Sequence, residues 1–196
     1  MSNDYLSPHL AVYPTLPLFH FNQSLAYGLH LNRLHPFYIP ILLSVLLKLD
    51  DEDIIRYAAM LIVPSKFPSR SFLLSFSQTE CAIMLRACLV IYSLTRGAMV
   101  PREGQLEASM AAITGRDSMV IARTGYGKTL CIAIPLLLQP DTMTITISPL
   151  KRLQRMQVLD FMHKYNIPTL GINEDTPNSP ELWKVRCTAN SVCIPK

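Results

Sequence analysis

The chain has little cysteine, and the cysteines it has are not grouped. Five occur in 196 residues, none of them in a C-x-x-C pair or at a spacing from histidine that is typical of a zinc site. They are Cys81, Cys88, Cys131, Cys187 and Cys193. This pattern argues against a disulfide framework and against zinc, and it favours reduced thiols in an intracellular protein.

A secretory signal and a strong charge imbalance are also missing. The first 18 residues have no basic start and are interrupted by prolines at positions 8, 14 and 17. The formal net charge is +4, which permits contact with nucleic acid without requiring it. Neither feature by itself decides what the protein binds.

One stretch, Phe72 to Leu94, is long enough to raise the question of a membrane helix. It contains Glu80 and Arg86, and each charge near the centre of a bilayer costs about 2.5 to 3.5 kcal/mol on the insertion scale. We therefore expect a buried helix and no membrane segment.

What the chain does contain is a stretch with clear chemical content, Ala122-Arg123-Thr124-Gly125-Tyr126-Gly127-Lys128-Thr129. It follows a run that suits a strand, Ser118 to Ile121, and precedes a run that suits a helix, Thr129 to Leu138. This is the order of strand, loop and helix that a phosphate-binding loop requires. The stretch departs from the general G-x-x-x-x-G-K-[ST] pattern only at its first position, where alanine replaces glycine.

The residue types in this loop match the needs of a triphosphate. Gly125 and Gly127 allow backbone conformations in which N–H groups surround phosphate, and the following helix directs its N-terminal dipole towards the anion. Lys128 supplies a charge for the β and γ phosphates, and the Thr129 hydroxyl is suited to bind Mg2+ that is shared with the nucleotide. With Thr124 and Tyr126, these residues form the predicted ATP site, with ATP and Mg2+ as cofactors.

The elements around the loop alternate between strand and helix. They are a helix at Arg102 to Thr114, a strand at Asp117 to Ile121, a helix at Thr129 to Leu138, a strand at Thr142 to Ser148, a helix at Leu150 to Lys164 and a strand at Pro168 to Ile172. Such alternation predicts an α/β fold with a parallel sheet and with the loop at the carboxyl end of a strand.

Charge and pattern divide the whole chain into four predicted parts. They are an irregular arm at 1–38, a helical region of unknown role at 39–96, a partial nucleotide-binding lobe at 97–184 and a disordered tail at 185–196. In the second part, the acidic run from Asp50 to Asp53 separates two helical runs, Ile39 to Lys48 and Asp53 to Val63, and we interpret it as a helix cap.

Residues from about Pro101 to Lys184 resemble the start of a RecQ-like DNA helicase of superfamily 2, in its first RecA-like lobe. Three blocks in the family's order carry the resemblance. They are Arg102-Glu103-Gly104-Gln105, the loop at 122–129, and Ser148-Pro149-Leu150 followed by Leu153, Gln154, Gln157 and Val158. The resemblance implies a partial RecA-like P-loop domain, preceded by a mostly helical or irregular N-terminal region.

The resemblance also assigns roles. It implies ATP-dependent 3′–5′ unwinding of DNA and a location in the nucleus, with Arg102 and Gln105 reading the edge of the adenine ring. It further implies that Lys151, Arg152 and Arg155, which cluster on one side of a helix, contact the DNA backbone. A solvated basic face of a helix would give the same pattern, so both interpretations of these three residues stay open.

Three features of the family are missing. The aromatic residue that the family tends to place just before the first block does not occur between Arg96 and Pro101. The D-E-x-[HD] box, which holds magnesium and orients water, does not follow Lys128, and neither does a second lobe with an arginine finger. We therefore expect an N-terminal fragment that is inactive by itself, with Leu136, Leu137, Ile145 and Ile147 incompletely covered.

Two alternatives remain from the sequence. One is a non-catalytic protein that binds nucleotide or a partner and has kept only the loop. The other is a membrane-associated protein in which Phe72 to Leu94 is the anchor and the loop is fortuitous.

Overall fold

The computed structural model describes residues 39–176 and 191–194. The predicted arm at 1–38 and, from the predicted tail, residues 185–190 and 195–196 lie outside this part. The helices are α1 (Ile39–Lys48), α2 (Asp51–Leu61), α3 (Arg70–Leu73), α4 (Gln78–Leu94), α5 (Glu103–Ile113), α6 (Thr129–Leu138) and α7 (Lys151–Tyr165), with a 3-10 turn at Pro64–Lys66. The strands are β1 (Met143–Ile145), β2 (Thr169–Gly171) and β3 (Ser191–Ile194).

Side-chain caps decide where the first helices begin. The carboxylate of Asp50 accepts the backbone N–H of Asp53 at 2.8 Å, which confirms the acidic run as a cap for α2. Ser77 and Glu80 form a reciprocal capping box at the start of α4. The prediction of one helix from Phe72 to Leu94 is therefore wrong at its N-terminal end, because α3 ends at Leu73 and the Ser77 cap starts a new helix.

Helix α4 is at the centre of the helical region. Ten of its 17 residues are buried, and it contacts α1, α2, α5 and α6. Its one central charge is satisfied, since the Arg86 guanidinium donates to the Leu46 carbonyl at 2.7 Å and pairs with Asp51 at 3.3 Å. In the part of the chain that the structure describes, no helix combines enough length and apolarity to cross a bilayer.

The hydrophobic core runs across the predicted boundary near residue 96. One cluster of buried residues extends from Leu42 in α1 to Ile167 after α7. Burial of this apolar surface is the main stabilising term for the arrangement. The helices before residue 96 and the segment that carries the loop therefore share a core.

The three strands form a small parallel sheet in the order β1, β3, β2. Met143 is in register with Ser191, and Thr169 is in register with Val192. Because β3 pairs with both neighbours, the prediction of a disordered tail is wrong for residues 191–194. Each strand has only three or four residues. These three short strands are all that the described residues contain of the predicted parallel sheet.

The predicted strand at Asp117–Ile121 does not form. The backbone there is irregular and has no strand partner among the described residues, and the side chains of Met119 and Ile121 are 87% and 90% exposed. A strand gains its stability from a paired neighbour, and an apolar run without one stays in contact with solvent. The segment that precedes the loop is therefore not paired in a sheet with any described residue.

Four apolar side chains were predicted to be incompletely covered by the fold, and two of them are. Ile145, in the edge strand β1, is 59% exposed, and Ile147, two residues after that strand, is 76% exposed. The prediction is wrong for Leu136 and Leu137, which are 0% and 7% exposed. They belong to α6, whose neighbours α4, α5 and α7 cover it.

Candidate nucleotide-binding site

The loop before α6 has the backbone that its sequence predicts. Gly125 and Gly127 have φ angles of +81° and +89°, in the left-handed region that favours glycine. Both are exposed, as is Lys128, and α6 begins immediately afterwards at Thr129. An exposed loop that ends at a helix N-terminus presents free N–H groups and a positive dipole end, which is the arrangement that binds phosphate.

The Lys128 side chain folds over this loop. Its Nζ donates to the carbonyl oxygens of Ala122 at 2.7 Å and Arg123 at 3.1 Å. Both acceptors are neutral, and Lys128 forms no ion pair with any residue that the structure describes. The ammonium charge is therefore held at the loop without a carboxylate to neutralise it.

Gln105 joins the start of α5 to the loop. Its side chain is buried, with Nε2 donating to the carbonyls of Tyr126 at 2.8 Å and Gly127 at 3.1 Å, and Oε1 accepting the Arg102 backbone N–H at 2.8 Å. The amide that the family resemblance assigns to adenine therefore makes three bonds within the protein here. Its reading of adenine stays a prediction, and its contact with the loop is an addition that the sequence reasoning missed.

Tyr126 and Arg102 make a second contact between the same elements. The guanidinium carbon of Arg102 lies 5.1 Å from the centre of the Tyr126 ring, within the range of a cation–π interaction. A Cβ added to Gly104 would lie 2.7 Å from the Tyr126 hydroxyl oxygen. The glycine in the block Arg102-Glu103-Gly104-Gln105 is the one sequence signal that could have indicated this close approach.

Cys81, Cys88 and Cys131 are free thiols, and burial raises the pKa of Cys88 to about 12. In residues 39–176 and 191–194, no cluster of His, Cys, Asp and Glu side chains could hold a metal ion.

The three basic residues predicted to contact DNA are all exposed on α7, but they differ in their surroundings. The Lys151 ammonium pairs with the carboxylates of Glu174 and, at 3.0 Å, Asp175. Two hydrogen bonds raise the pKa of Lys151. The bond to Glu174 has the largest effect, and the bond to Asp175 comes next. Arg152 and Arg155 form no ion pair within the described part of the chain.

Comparison with known proteins finds a family model that matches the part of the chain that contains this site. Residues 102–186 match the family model "DEAD/DEAH box helicase". ATP-dependent DNA helicase hus2/rqh1 of Schizosaccharomyces pombe is 37% identical over 79 residues, which are 39% of this chain and 6% of that protein. ATP-dependent DNA helicase RecQ of Pasteurella multocida is 47% identical over 82 residues, which are 42% of this chain and 12% of that protein.

A third relative agrees with these. ATP-dependent DNA helicase RecQ of Haemophilus influenzae is 47% identical over 57 residues, 29% of this chain and 9% of that protein. The chain thus spans from 6% to 12% of the length of these curated relatives. No solved structure gives a significant match. Over residues 102–186 this chain is similar to DEAD/DEAH box helicases, and its resemblance to the RecQ-like helicases is confirmed for that part.

Proposed function

We propose that this chain binds ATP with Mg2+ as the ATP-binding part of a RecQ-like DNA helicase, in a partial RecA-like lobe over residues 97–184. Lys128 pairs with the β and γ phosphates, Thr129 binds Mg2+, and the N–H groups from Thr124 onwards surround the phosphates. The observation that carries the proposal is the loop before α6, with two glycines at positive φ and an unneutralised ammonium group over it. Titration of the chain with magnesium ATP tests it.

The helicase relatives motivate the rest of the proposal. By the resemblance to RecQ-like helicases, the substrate is DNA that is unwound in the 3′–5′ direction, and the location is the nucleus. Lys151, Arg152 and Arg155 then contact the DNA backbone, where each neutralised phosphate releases counterions and makes binding depend on salt.

The acidic pair beside Lys151 leads to a prediction about DNA. Replacing both partners, Glu174→Gln with Asp175→Asn, frees the Lys151 ammonium for a phosphate. We expect affinity for a single-stranded oligonucleotide to rise about two- to fivefold at low salt, the range of an exposed ion pair. Fluorescence anisotropy of a labelled oligonucleotide measures it.

The control removes a negative charge from α7, the helix that carries Lys151, without freeing Lys151. Asp160→Asn breaks the pair between Asp160 and Lys164, whose Nζ lies 2.7 Å from the carboxylate. An equal gain in that variant, or a gain that persists when Lys151 is alanine, would show that general charge and not Lys151 is responsible.

The second prediction concerns hydrolysis. The sequence after Lys128 contains no D-E-x-[HD] box, and positioned groups supply most of the catalysis in phosphoryl transfer. We expect ATP turnover by the chain alone to stay at background with or without DNA, in a phosphate-release assay. Turnover that DNA stimulates and that Lys128→Ala abolishes would contradict this.

The non-catalytic alternative is favoured by that same missing box. In this case the chain holds nucleotide without hydrolysing it and acts through a binding partner. Background turnover combined with measurable ATP binding is the result that both interpretations share. A fusion protein separates the two interpretations. The chain is joined to the rest of the first lobe and the second lobe of a RecQ helicase, which supply the missing groups. DNA-stimulated ATP turnover by the fusion is expected only if the chain is part of a helicase.

A further inference from the structure

Helix α7 carries a row of large apolar side chains that the fold leaves uncovered. The row consists of Leu153, Met156, Leu159 and Met162, and each of these side chains is about half exposed. Residues three apart are neighbours on a helix surface, so the four form one continuous ridge, which spans about 14 Å along the axis. Single exposed apolar residues are ordinary, whereas a contiguous set marks a surface that binds something.

The ridge lies on the side of α7 that faces away from the rest of the protein. The other side packs on the core through Phe161 and Tyr165, and a Cβ added to Gly171 of β2 would lie 3.3 Å from Cγ2 of Val158. Because successive helix residues turn by about 100°, the middle of the ridge is roughly opposite these contacts. Further strands added to the sheet would lie in the layer that Val158 contacts, and they would leave the ridge uncovered.

Two arginines flank the ridge. Arg152 is four residues before Met156, and Arg155 is four residues before Leu159, so each lies beside a ridge side chain on the helix surface. Both arginines are exposed and form no ion pair within residues 39–176 and 191–194. The first turn of α7 contains no acidic residue, so the positive end of the helix dipole adds to their charge.

The lysines and the aspartate of α7 are paired within the protein. Lys151 pairs with Glu174 and Asp175, and Lys164 pairs with Asp160. The charge that is left beside the ridge is therefore positive. A complementary partner brings apolar side chains for the ridge and carboxylates for the two arginines.

We propose that this ridge is the docking surface for an amphipathic helix of another protein, in which Asp and Glu residues flank an apolar stripe. An i±3n ridge fits into the i±4n grooves of a second helix at a crossing angle of about 20°, which is typical of helix bundles. Carboxylates beside the stripe then reach Arg152 and Arg155. This inference goes beyond the proposed function and does not depend on nucleotide binding.

A second copy of the chain and DNA fit this surface less well. Two copies would pack the same kind of ridge on each other, which gives the rarer, near-perpendicular crossing. The phosphates of DNA account for the arginines but gain nothing from four apolar side chains. If the arginines contact DNA as proposed above, the partner helix and DNA compete for them.

The first test uses two synthetic helical peptides with the full chain. One has leucines spaced three and four residues apart with glutamates beside them, and the other has lysine in place of each glutamate. In fluorescence anisotropy, we expect the glutamate peptide to bind about tenfold more tightly at low salt, and the difference to shrink as salt is added. Arg152→Gln with Arg155→Gln is expected to weaken binding of the glutamate peptide about two- to fivefold.

Substitutions in the ridge locate the binding surface. Met156→Gln with Leu159→Gln is expected to weaken binding of the glutamate peptide about tenfold and to keep the wild-type melting temperature, because both side chains are exposed. The matched control is Met60→Gln with Val63→Gln, which replaces two exposed apolar side chains at and after the end of α2. We expect this control to bind the peptide like the wild type.

Several outcomes overturn the proposal. They include a glutamate peptide that does not bind, equal binding of the two peptides, and wild-type affinity in Met156→Gln with Leu159→Gln. If that variant instead abolishes a dimer seen by analytical ultracentrifugation, binding to phosphatidylserine vesicles or binding to an oligonucleotide, the ridge belongs to a second copy, a membrane surface or DNA. ATP titration of the same variant is expected to match the wild type, so each of these failures leaves the proposed nucleotide site intact.

Discussion

Lys128→Ala is expected to lower the affinity for magnesium ATP by about ten- to a hundredfold, because hydrogen bonds to charged groups contribute roughly 1.5 to 3 kcal/mol each. The substitution removes the ammonium that the loop holds through the Ala122 and Arg123 carbonyls. The two carbonyl oxygens are then left at the proposed phosphate site without the cation, which we expect to add repulsion to the lost attraction. Titration with a fluorescent ATP analogue measures the change.

The matched control for this variant is Lys164→Ala. Lys164 is also an exposed lysine, but it is on α7 and pairs with Asp160. We expect it to bind ATP like the wild type, and both variants to keep the wild-type melting temperature, since neither side chain is in the core. If Lys128→Ala binds the analogue as the wild type does, the assignment of the loop to nucleotide is wrong.

Gly127→Ala is expected to lower both the melting temperature and the affinity for ATP, because it changes the shape of the loop. The φ angle of +89° disfavours any residue with a Cβ, at a cost of order 1 to 3 kcal/mol. The new Cβ would also lie 2.8 Å from Nε2 of Gln105. Gln105 is buried and held by three hydrogen bonds, so it can move only by giving up its contacts with the loop.

A comparison with Gly125→Ala separates these two causes. Gly125 has a similar φ of +81°, but a Cβ there would have no atom of the described residues within 4 Å. Thermal melting and ATP titration should therefore show a larger loss for Gly127→Ala, and replacing Gln105 by alanine as well should recover part of the difference. Equal losses in the two glycine variants would mean that the contact with Gln105 contributes nothing.

The sequence by itself determined the features that depend on neighbours along the chain. Helix α6 runs from Thr129 to Leu138 in both the prediction and the structure, and the cap at Asp50 was expected from the acidic run. The positive φ angles of Gly125 and Gly127 follow from the motif. Caps, periodicity and glycine turns act over one or two turns of chain, so they can be read without knowing the fold.

Only the tertiary structure decided the features that need a partner from elsewhere. The run 117–121 has the composition of a strand but no neighbouring strand among the described residues, whereas 191–194, which has no clear period, pairs on both sides. In the site, the amide of Gln105 bonds to the loop. Strand pairing and side-chain contacts depend on which distant segments come into contact when the core forms. Local sequence preference does not specify these contacts.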